Sequence, residues 1–391
     1  MFAARNSEAR FVVWGGVHHN TLGVLRSLGE AGVSRRAIHV LLTGNNIPKR
    51  NIVSASKYAA QGGVHYFADD GEALTWLARD GVFDCEQRPV VICCSDGAAE
   101  ALMSAGPNLR QRYLAPSLAI DAHEAMSKQV QAKLATDCGL SVPRTAYIEV
   151  GHKPDWDIFP CIVKPIKSTL GGGKADIKVA NNKSELMEQL DAVKSDRVVL
   201  QEYIDKELEY QLIGCSLEGG KTVLIPGYTD ILRQPLNTNT GYLRYAPITG
   251  FAFDRDASCR FLRALGYSGL FSLEFIRSKN GKDYFLEINL RNDGNGYCVK
   301  SAGVNLPYIW SFFQINGEMP QVQTKFEHPI YFMPELADIK LGVNEVGFAR
   351  WLMQFFCARS HAVFNLRDPK PFLIAIASII CRKCRRLFER R

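Results

Sequence analysis

A tight turn at Asn280-Gly281 constrains the fold more than any other short stretch of this chain. It joins two strongly apolar runs, LFSLEFI and DYFLEINL. An Asn-Gly pair between such runs is a strong hairpin signal, because both residues tolerate the positive φ that tight turns need. The sequence therefore predicts two neighbouring antiparallel strands at this point.

Polar side chains interrupt both apolar runs on one side of the predicted hairpin. Glu287 and Asn289 are two residues apart and point to the same face, and Glu274 can lie opposite them across the turn. Arg291 continues this face if the strand stays extended. Two carboxylates and an amide oxygen are hard ligands that suit Mg²⁺, which also binds waters and substrate phosphates. A solvated hairpin face fits less well, so the pattern favours a metal site.

The first third of the chain alternates strand-like apolar runs with helical patterns. RFVVWGG, AIHVLLTG and PVVICC are the strand-like runs, and NTLGVLRSLGEAG has helical spacing of its leucines. This alternation is typical of a parallel sheet wound with helices, which we place at residues 8–117. Gly15-Gly16 does not complete a dinucleotide fingerprint, so a tight strand-to-helix turn is favoured. His18 and His19 follow in the same loop and are candidates for substrate contact.

A glycine-rich stretch, CIVKPIKSTLGGGKADIKVA at residues 161–180, indicates phosphate binding. It is not a P-loop, because a strand-like run follows Lys174 where Ser or Thr would begin a helix. The stretch is therefore predicted to be a flexible lid between two strands, with Lys164 reaching the phosphates as a point charge. Its candidate backbone donors belong to Ser168, Gly171, Gly172 and Gly173.

Composition and charge exclude several classes of protein. Hydrophobic residues make up 47% of the chain and charged residues 22%, as in soluble globular proteins. The net charge is +7, but residues 372–391 carry +5 of it, and the remainder is too small to indicate nucleic-acid binding by the body. The 11 scattered cysteines suggest a reducing, cytosolic setting. No apolar run reaches about 18 residues and no signal peptide is recognised.

The order of these motifs resembles that of the ATP-grasp enzymes. A helical lysine precedes the lid, Lys-Pro opens the glycine-rich stretch, QEYI precedes a later glutamate, and paired acidic strands end in EINLR. The resemblance covers about residues 10–315 and is of the carboxylate–amine ligase type, as in D-alanine–D-alanine ligase, biotin carboxylase and, most similar, the D-aspartate ligases. It implies an α/β and α+β fold. The implied units are a Rossmann-like pre-ATP-grasp domain at 8–117, a lid subdomain at 118–200, an antiparallel-sheet catalytic subdomain at 201–320 and a C-terminal extension at 321–391.

The resemblance also implies cofactors and roles for single residues. ATP with Mg²⁺, or Mn²⁺, would bind between the two ATP-grasp subdomains. Glu274, Glu287 and Asn289 are implied to hold the metal ion, and Arg291 to steady the transferring phosphate or the acyl intermediate. The residues implied to bind the nucleotide are Lys128 and Lys164 at the phosphates, Glu202, Tyr203 and Ile204 at the adenine, and Glu209 at the ribose.

The implied activity is the joining of a carboxylate to an amine through an acyl phosphate. Arg233 and Arg244 flank the stretch QPLNTNTGYL, where each is either a clamp for the substrate carboxylate or a solvated loop residue. Two alternatives stay open: an ATP-grasp enzyme of phosphoryl-transfer or carboxylase type, and a non-catalytic ATP-binding scaffold tethered by its basic tail. The expected partners are small carboxylate and amine substrates, with no nucleic acid, and a homodimer is compatible with the family.

The C-terminal stretch FLIAIASIICRKCRRLFERR pairs an apolar half with a basic half. Residues 372–391 are compatible with a basic amphipathic helix on an anionic membrane and with a helix docked on the body. Cys381 and Cys384 form a lone CxxC, which argues against zinc because a second pair of ligands is missing. The expected location is cytoplasmic, with membrane association through this helix left open.

Overall fold

A computed structural model describes most of the chain in atomic detail. The described residues are 11–79, 88–151, 154–165, 178–192, 197–234 and 240–388, with the backbone alone for Pro107, Pro165 and residues 382–388. Within these ranges the strands form three sheets, one in the N-terminal domain, one in the lid and one in the centre of the molecule.

The N-terminal domain is built on a four-stranded parallel sheet in the order β3-β2-β1-β4. Its elements are β1 (Phe11–Gly15), α1 (His19–Glu30), β2 (Ile38–Thr43), β3 (Val64–Phe67), α2 (Asp70–Arg79), β4 (Val90–Cys93), α3 (Asp96–Met103) and α4 (Pro107–Arg112). Every residue of β1 is buried, as expected for a central strand covered on both faces. The strand order reverses between β1 and β4, so a crevice opens at their carboxyl ends. The predicted wound parallel sheet is confirmed.

The lid is a four-stranded sheet in the order β5-β8-β6-β7. Its elements are β5 (Thr145–Glu149), β6 (Cys161–Pro165), β7 (Lys178–Ala180), α7 (Lys183–Asp191) and β8 (Arg197–Glu202). β6 and β7 pair in antiparallel register, with Cys161 opposite Ala180, so the glycine-rich stretch does join two strands. The predicted donors Ser168 and Gly171 to Gly173 lie outside the described residues.

Two helices between these units, α5 (Ala122–Met126) and α6 (Lys128–Asp137), fall in the range predicted for the lid. In the structure α6 packs against the central sheet instead. Gln131 Nε2 donates to the Ile288 carbonyl at 3.2 Å, and the Ile288 amide donates to Gln131 Oε1 at 3.1 Å. Lys128, at the start of α6, is therefore attached to the body and faces the lid.

The central sheet has seven strands in the order β13-β12-β9-β10-β11-β14-β15. Its strands are β9 (Lys206–Leu217), β10 (Thr222–Arg233), β11 (Tyr242–Pro247), β12 (Gly269–Ser278), β13 (Asp283–Asn289), β14 (Ile330–Met333) and β15 (Ser360–His361). The accompanying helices are α8 (Arg255–Ala264), α9 (Gly296–Ser301), α10 (Leu306–Asn316), α11 (Glu335–Val346), α12 (Phe348–Cys357) and α13 (Lys370–Phe388). One face packs on the N-terminal domain through Ile213, Cys215 and α10 residues such as Trp310, and the other packs on α8 through Phe271 and Phe275.

The C-terminal part of the chain is integrated into this sheet. β14 pairs with β11, with Phe332 opposite Leu243, and β15 pairs in turn with β14. Residues 330–361, which the sequence assigns to a C-terminal extension at 321–391, therefore contribute strands to the central sheet. These short strands lack the periodicity that would have revealed them.

Helix α13 begins in contact with the body. Ala375 is buried, and the Phe364 and Phe372 rings lie 5.2 Å apart. Leu373 and Ile380 lie on the exposed side of the helix. Within the part of the chain that the structure describes, no helix has both the length and the apolarity needed to cross a membrane.

Candidate active site

The hairpin of β12 and β13 carries the centre of the site. Glu274 lies directly opposite Glu287, and Ser272 lies opposite Asn289. Gly281 has a φ of 81°, which lets the chain turn back within five residues and sets this register. The structure thus brings together the three side chains predicted as metal ligands, while metal binding itself stays a prediction.

Glu274 is a largely buried carboxylate with two amide donors. Gln211 Nε2 donates to Glu274 Oε1 at 2.9 Å, and Asn289 Nδ2 donates to the same oxygen at 3.0 Å. Burial, followed by the nearby charges of Glu287 and Asp293, raises the pKa of Glu274 to about 7. A carboxylate pair in this environment is one that a bound cation would stabilise.

Two lysines reach toward this carboxylate pair. Lys128 forms an ion pair with Glu287, whose charge raises the lysine pKa against the opposing effect of burial. Lys164, from β6 of the lid, donates to Gln201 Oε1 at 3.2 Å. Burial lowers the pKa of Lys164, and the positive charge of Lys128 lowers it further. The two predicted phosphate-binding lysines therefore lie near each other and near Glu287.

The predicted adenine residues lie where the lid joins the central sheet. Glu202 ends β8 and accepts from the Arg144 amide at 3.1 Å, and the Tyr203 amide donates to the Pro160 carbonyl at 3.1 Å. Ile204 follows in the short link to β9. Glu209 accepts from Lys206 Nζ at 2.7 Å and stands two residues before Gln211, so it shares the face of the sheet that carries Glu274.

Arg291 connects the hairpin with the N-terminal domain. Its Nε donates to Asp96 Oδ1 at 2.9 Å, and its Nη2 donates to Asn289 Oδ1 at 3.0 Å. Nη1 lies 3.6 Å from Asp293 Oδ2. Burial lowers the pKa of the Arg291 guanidinium, but the negative charges of Asp293 and Asp96 raise it by more. The net effect is a raised pKa. Arg291 is therefore a fixed cation at the junction of the two domains.

A cavity of about 550 Å³ opens at this junction. The N-terminal domain contributes His18, His19, Asn20, Cys94, Ser95 and Asp96, the central sheet contributes Gln211, Glu274, Asn289, Arg291 and Asp293, and α11 contributes Leu336 and Ala337. The first group lies at the carboxyl ends of β1 and β4, where the strand order reverses. This is the usual ligand position in an open α/β sheet.

The two histidines of the first loop line this cavity. Burial lowers the pKa of His19 to about 3, and His18 contributes to the same effect. Burial and then Arg291 lower the pKa of His18. The ring centroids lie 3.9 Å apart, and a hydrogen bond with the Gly294 backbone partly opposes the lowering of the His19 pKa. Both shifts favour the neutral form of the rings near pH 7.

The predicted role of Arg233 is contradicted by its position. Its guanidinium is buried and bidentate to Asp338, with Nε–Oδ1 at 2.8 Å and Nη2–Oδ2 at 2.7 Å. Nη2 also donates to Gln354 Oε1 at 3.0 Å. With these donors already engaged by α11 and α12, Arg233 stabilises the C-terminal helices and does not face the cavity.

Arg244 is also misplaced for the predicted clamp. It lies opposite Asp230, 3.5 Å from that carboxylate, and 3.4 Å from the Tyr228 hydroxyl. Tyr228 pairs with Leu212, the neighbour of Gln211, so Arg244 lies on the sheet face away from Glu274. The prediction is wrong because strand alternation, and not nearness in sequence, decides which face an arginine occupies.

Several residues of the site were not identified from the sequence. Asp293 is buried and accepts from the Ser272 hydroxyl at 2.9 Å and the Asn295 amide at 2.7 Å. Gln211 donates a hydrogen bond to Glu274, and Asp96 accepts one from Arg291. The one available signal was the polar run RNDGNG directly after an apolar strand.

A divalent ion at this site would need ligands from outside the chain. Among the described residues no three His, Cys, Asp or Glu side chains come together as a metal centre. Glu274, Glu287 and Asn289 supply two carboxylates and one amide, which leaves positions for phosphate oxygens and water. The donor set therefore fits a metal ion that arrives with a nucleotide.

The fold defined by these three sheets is the ATP-grasp fold. The chain is similar to carboxyaminoimidazole ribonucleotide synthase from Aspergillus clavatus complexed with ATP, at 13% identity and a TM-score of 0.59, over 83% of this chain and 81% of that one. It is similar to L-amino acid ligase from Bacillus licheniformis at 15% identity and a TM-score of 0.53, over 79% and 75% of the two chains. The predicted ATP-grasp fold is confirmed.

Two further proteins are similar to this chain, one in structure and one in sequence. The biotin carboxylase domain of 2-oxoglutarate carboxylase from Hydrogenobacter thermophilus, in complex with MgADP and bicarbonate, matches at 14% identity and a TM-score of 0.58, over 82% of this chain and 73% of that one. By sequence, formate-dependent phosphoribosylglycinamide formyltransferase from Bacteroides fragilis is 25% identical over 159 residues, or 38% of this chain. That match spans only 39% of the relative's length. No protein-family model matches the chain.

Proposed function

We propose that the protein is an ATP-dependent ligase that joins a carboxylate to an amine through an acyl phosphate. One observation carries this proposal: the opposed carboxylates of Glu274 and Glu287 lie between the two lysines of the nucleotide side and the cavity that Arg291 borders. Nucleotide phosphates and a small substrate would thus meet at one place. Similarity to an L-amino acid ligase and to an enzyme complexed with ATP supports the same activity.

On the nucleotide side, the chain supplies cations and a metal-binding face. Lys128 and Lys164 would bind the phosphates of ATP, and Glu202, Tyr203, Ile204 and Glu209 would line its adenine and ribose. Glu274, Glu287 and Asn289 would hold Mg²⁺, or Mn²⁺, which supplies charge neutralisation for the phosphates. The raised pKa of Glu274 fits this assignment, because the carboxylate pair lacks a full counter-charge without a cation.

On the substrate side, the cavity favours a carboxylate next to Arg291. Helices α1 and α3 both begin at the cavity wall, and the positive ends of their dipoles would stabilise an anion bound there. A carboxylate is a poor electrophile, and its phosphorylation by ATP gives an acyl phosphate that an amine attacks. Arg291 would stabilise the negative charge on that intermediate. Enclosure between lid and body would keep water away from it.

The experiment is a measurement of ADP release over a panel of amino acids and other small carboxylates and amines. We expect release that requires one acid and one amine together, and a loss of about 100-fold or more in Glu287→Gln. Glu207→Gln is the matched control, because Glu207 is an exposed acid on β9. Absence of ADP with every pair, or equal activity in Glu287→Gln and wild type, would contradict the proposal.

A carboxylase-type activity is the second candidate. It is favoured by the likeness to a biotin carboxylase domain complexed with MgADP and bicarbonate. In this case bicarbonate takes the place of the organic acid. ADP release that depends on bicarbonate and on no added carboxylic acid would select it over the first candidate.

We also propose that residues 372–391 touch the cytoplasmic face of a membrane. The exposed apolar side chains of Leu373 and Ile380 and the basic composition of the tail support this contact. Co-sedimentation of the whole chain with anionic vesicles tests it, and equal sedimentation after removal of the tail would contradict it.

A homodimer is proposed from family resemblance alone, and sedimentation equilibrium tests it.

A further inference from the structure

A second cavity, of about 720 Å³, lies between the loop of residues 47–61 and the start of α13. We call it the basic cavity, because five cationic side chains line it: Arg35, Lys49, Arg50, Lys57 and Lys370. It shares no lining residue with the candidate active site. The proposed ligase activity does not use it.

No carboxylate among the described residues forms an ion pair with the cations of the basic cavity. Its lining residues include no carboxylate. None of the five cations forms an ion pair with another described residue. Like charges gathered in a concave surface repel each other and focus a positive potential. Such a surface stabilises an anion with several negative oxygens.

Hydrogen bonds fix the loop that lines the basic cavity. Asp368 accepts from the Ser56 hydroxyl at 2.7 Å and from the Lys57 amide at 2.8 Å, which fastens the loop to the segment before α13. The Lys49 carbonyl accepts from the Tyr66 hydroxyl at 2.8 Å and from the Ser54 hydroxyl at 2.9 Å. The backbone that carries Lys49 and Lys57 is therefore fixed by hydrogen bonds, at Lys57 directly to the segment before α13.

We propose that the basic cavity binds a phosphate-bearing anion. Two sources have this chemistry, a free polyphosphate and the headgroup of an anionic phospholipid. Leu373, which lines the cavity, is 61% exposed, and Ile380, seven residues further along α13, is 55% exposed. These side chains lie on one side of the helix and would enter the lipid if the phosphate belongs to a headgroup.

The first experiment is titration calorimetry of the full chain with inorganic pyrophosphate in the absence of Mg²⁺. We expect Arg50→Gln/Lys57→Gln to weaken binding by about ten-fold or more, because each lost contact is charge-assisted. Lys133→Gln/Lys183→Gln removes the same charge from exposed positions elsewhere and should bind as wild type does. Lys128→Gln/Lys164→Gln should also keep this binding, which separates it from the nucleotide site.

The second experiment uses vesicles of phosphatidylcholine with and without phosphatidylglycerol. A headgroup site predicts sedimentation with the anionic vesicles alone, and its loss in both Arg50→Gln/Lys57→Gln and Leu373→Gln/Ile380→Gln. A free-phosphate site predicts that the Leu373→Gln/Ile380→Gln variant still binds pyrophosphate and that vesicles do not bind. If the double charge variant fails to fold, Arg35→Gln and Lys370→Gln replace it singly. Binding of neither probe, or equal binding by wild type and charge variants, overturns the proposal.

Discussion

Arg26 and Asp368 form a buried ion pair that joins α1 of the N-terminal domain to the segment before α13. Arg26 Nε lies 3.0 Å from Asp368 Oδ2, and their side chains are 0% and 1% exposed. Arg26 Nη2 also donates to the Val363 carbonyl at 2.8 Å. The last segment of the chain thus packs against the first helix, and Asp368 also binds the loop that lines the basic cavity.

Replacing Asp368 by Ala should destabilise the protein strongly. The change leaves Arg26 buried without its counter-charge and removes the acceptor of Ser56 and Lys57, so we expect a loss of about 3–5 kcal/mol in the free energy of unfolding. Urea unfolding measures it. Glu149→Ala is the control, because Glu149 forms an exposed pair with Arg197 at 3.6 Å and should cost less than about 1 kcal/mol. Similar losses in both variants would contradict the account.

Replacement by Lys should impair the enzyme at Arg291 but not at Arg244. Arg291 uses separate nitrogens for Asp96 and Asn289 at the cavity, and a lysine cannot make both contacts. We expect Arg291→Lys to lower the rate of ADP release by about 10²-fold or more. Arg244→Lys, on the other face of the sheet, should keep the rate within about two-fold. Equal losses would restore a substrate role to Arg244.

Gly342 in α11 should not tolerate Ala, although Ala is the better helix former. A Cβ there would lie 2.8 Å from Asp338 Oδ2 and 2.9 Å from Arg233 Nη2, inside the buried ion pair, and would also collide with Trp351. We expect Gly342→Ala to destabilise by about 1–3 kcal/mol. Gly71→Ala, at an exposed position of α2, meets only the exposed Asp69 Oδ1 at 3.2 Å and should change stability by less than about 1 kcal/mol. Thermal unfolding measures the change in stability of each variant relative to wild type.

His19 should make the fold sensitive to acid. Its pKa is about 3 in the folded protein against 6.5 ordinarily, so between these values the unfolded chain binds a proton that the folded chain does not. Stability is therefore fully present above pH 6.5 and falls as the pH is lowered toward 3, by about 1.4 kcal/mol per unit from this group. His19→Asn should make the dependence shallower by that amount. Exposed His328→Asn should not, and urea unfolding at several pH values compares them.

Structural features that follow from residues close together in the sequence were predicted correctly. The wound parallel sheet, the paired strands around the glycine-rich stretch and the opposed positions of Glu274 and Glu287 all follow from local alternation and turn residues. Arg291 lies at the cavity as predicted, but Arg233 and Arg244 do not. The faces occupied by Arg233 and Arg244 depend on a β-bulge after Ile231 and on partners 105 and 14 positions away, which no local pattern encodes.

The sequence by itself determined the hairpin, because a two-residue side-chain period and an Asn-Gly turn are sufficient to place two acids face to face. It also determined that a lysine-bearing strand precedes a glycine-rich lid. Only the tertiary structure decided that Arg291 meets Asp96 across 195 positions and that Arg26 meets Asp368 across 342. The physical reason is that partners of buried charges are selected by the packing of distant helices and strands, and this packing leaves no periodic signal in the chain.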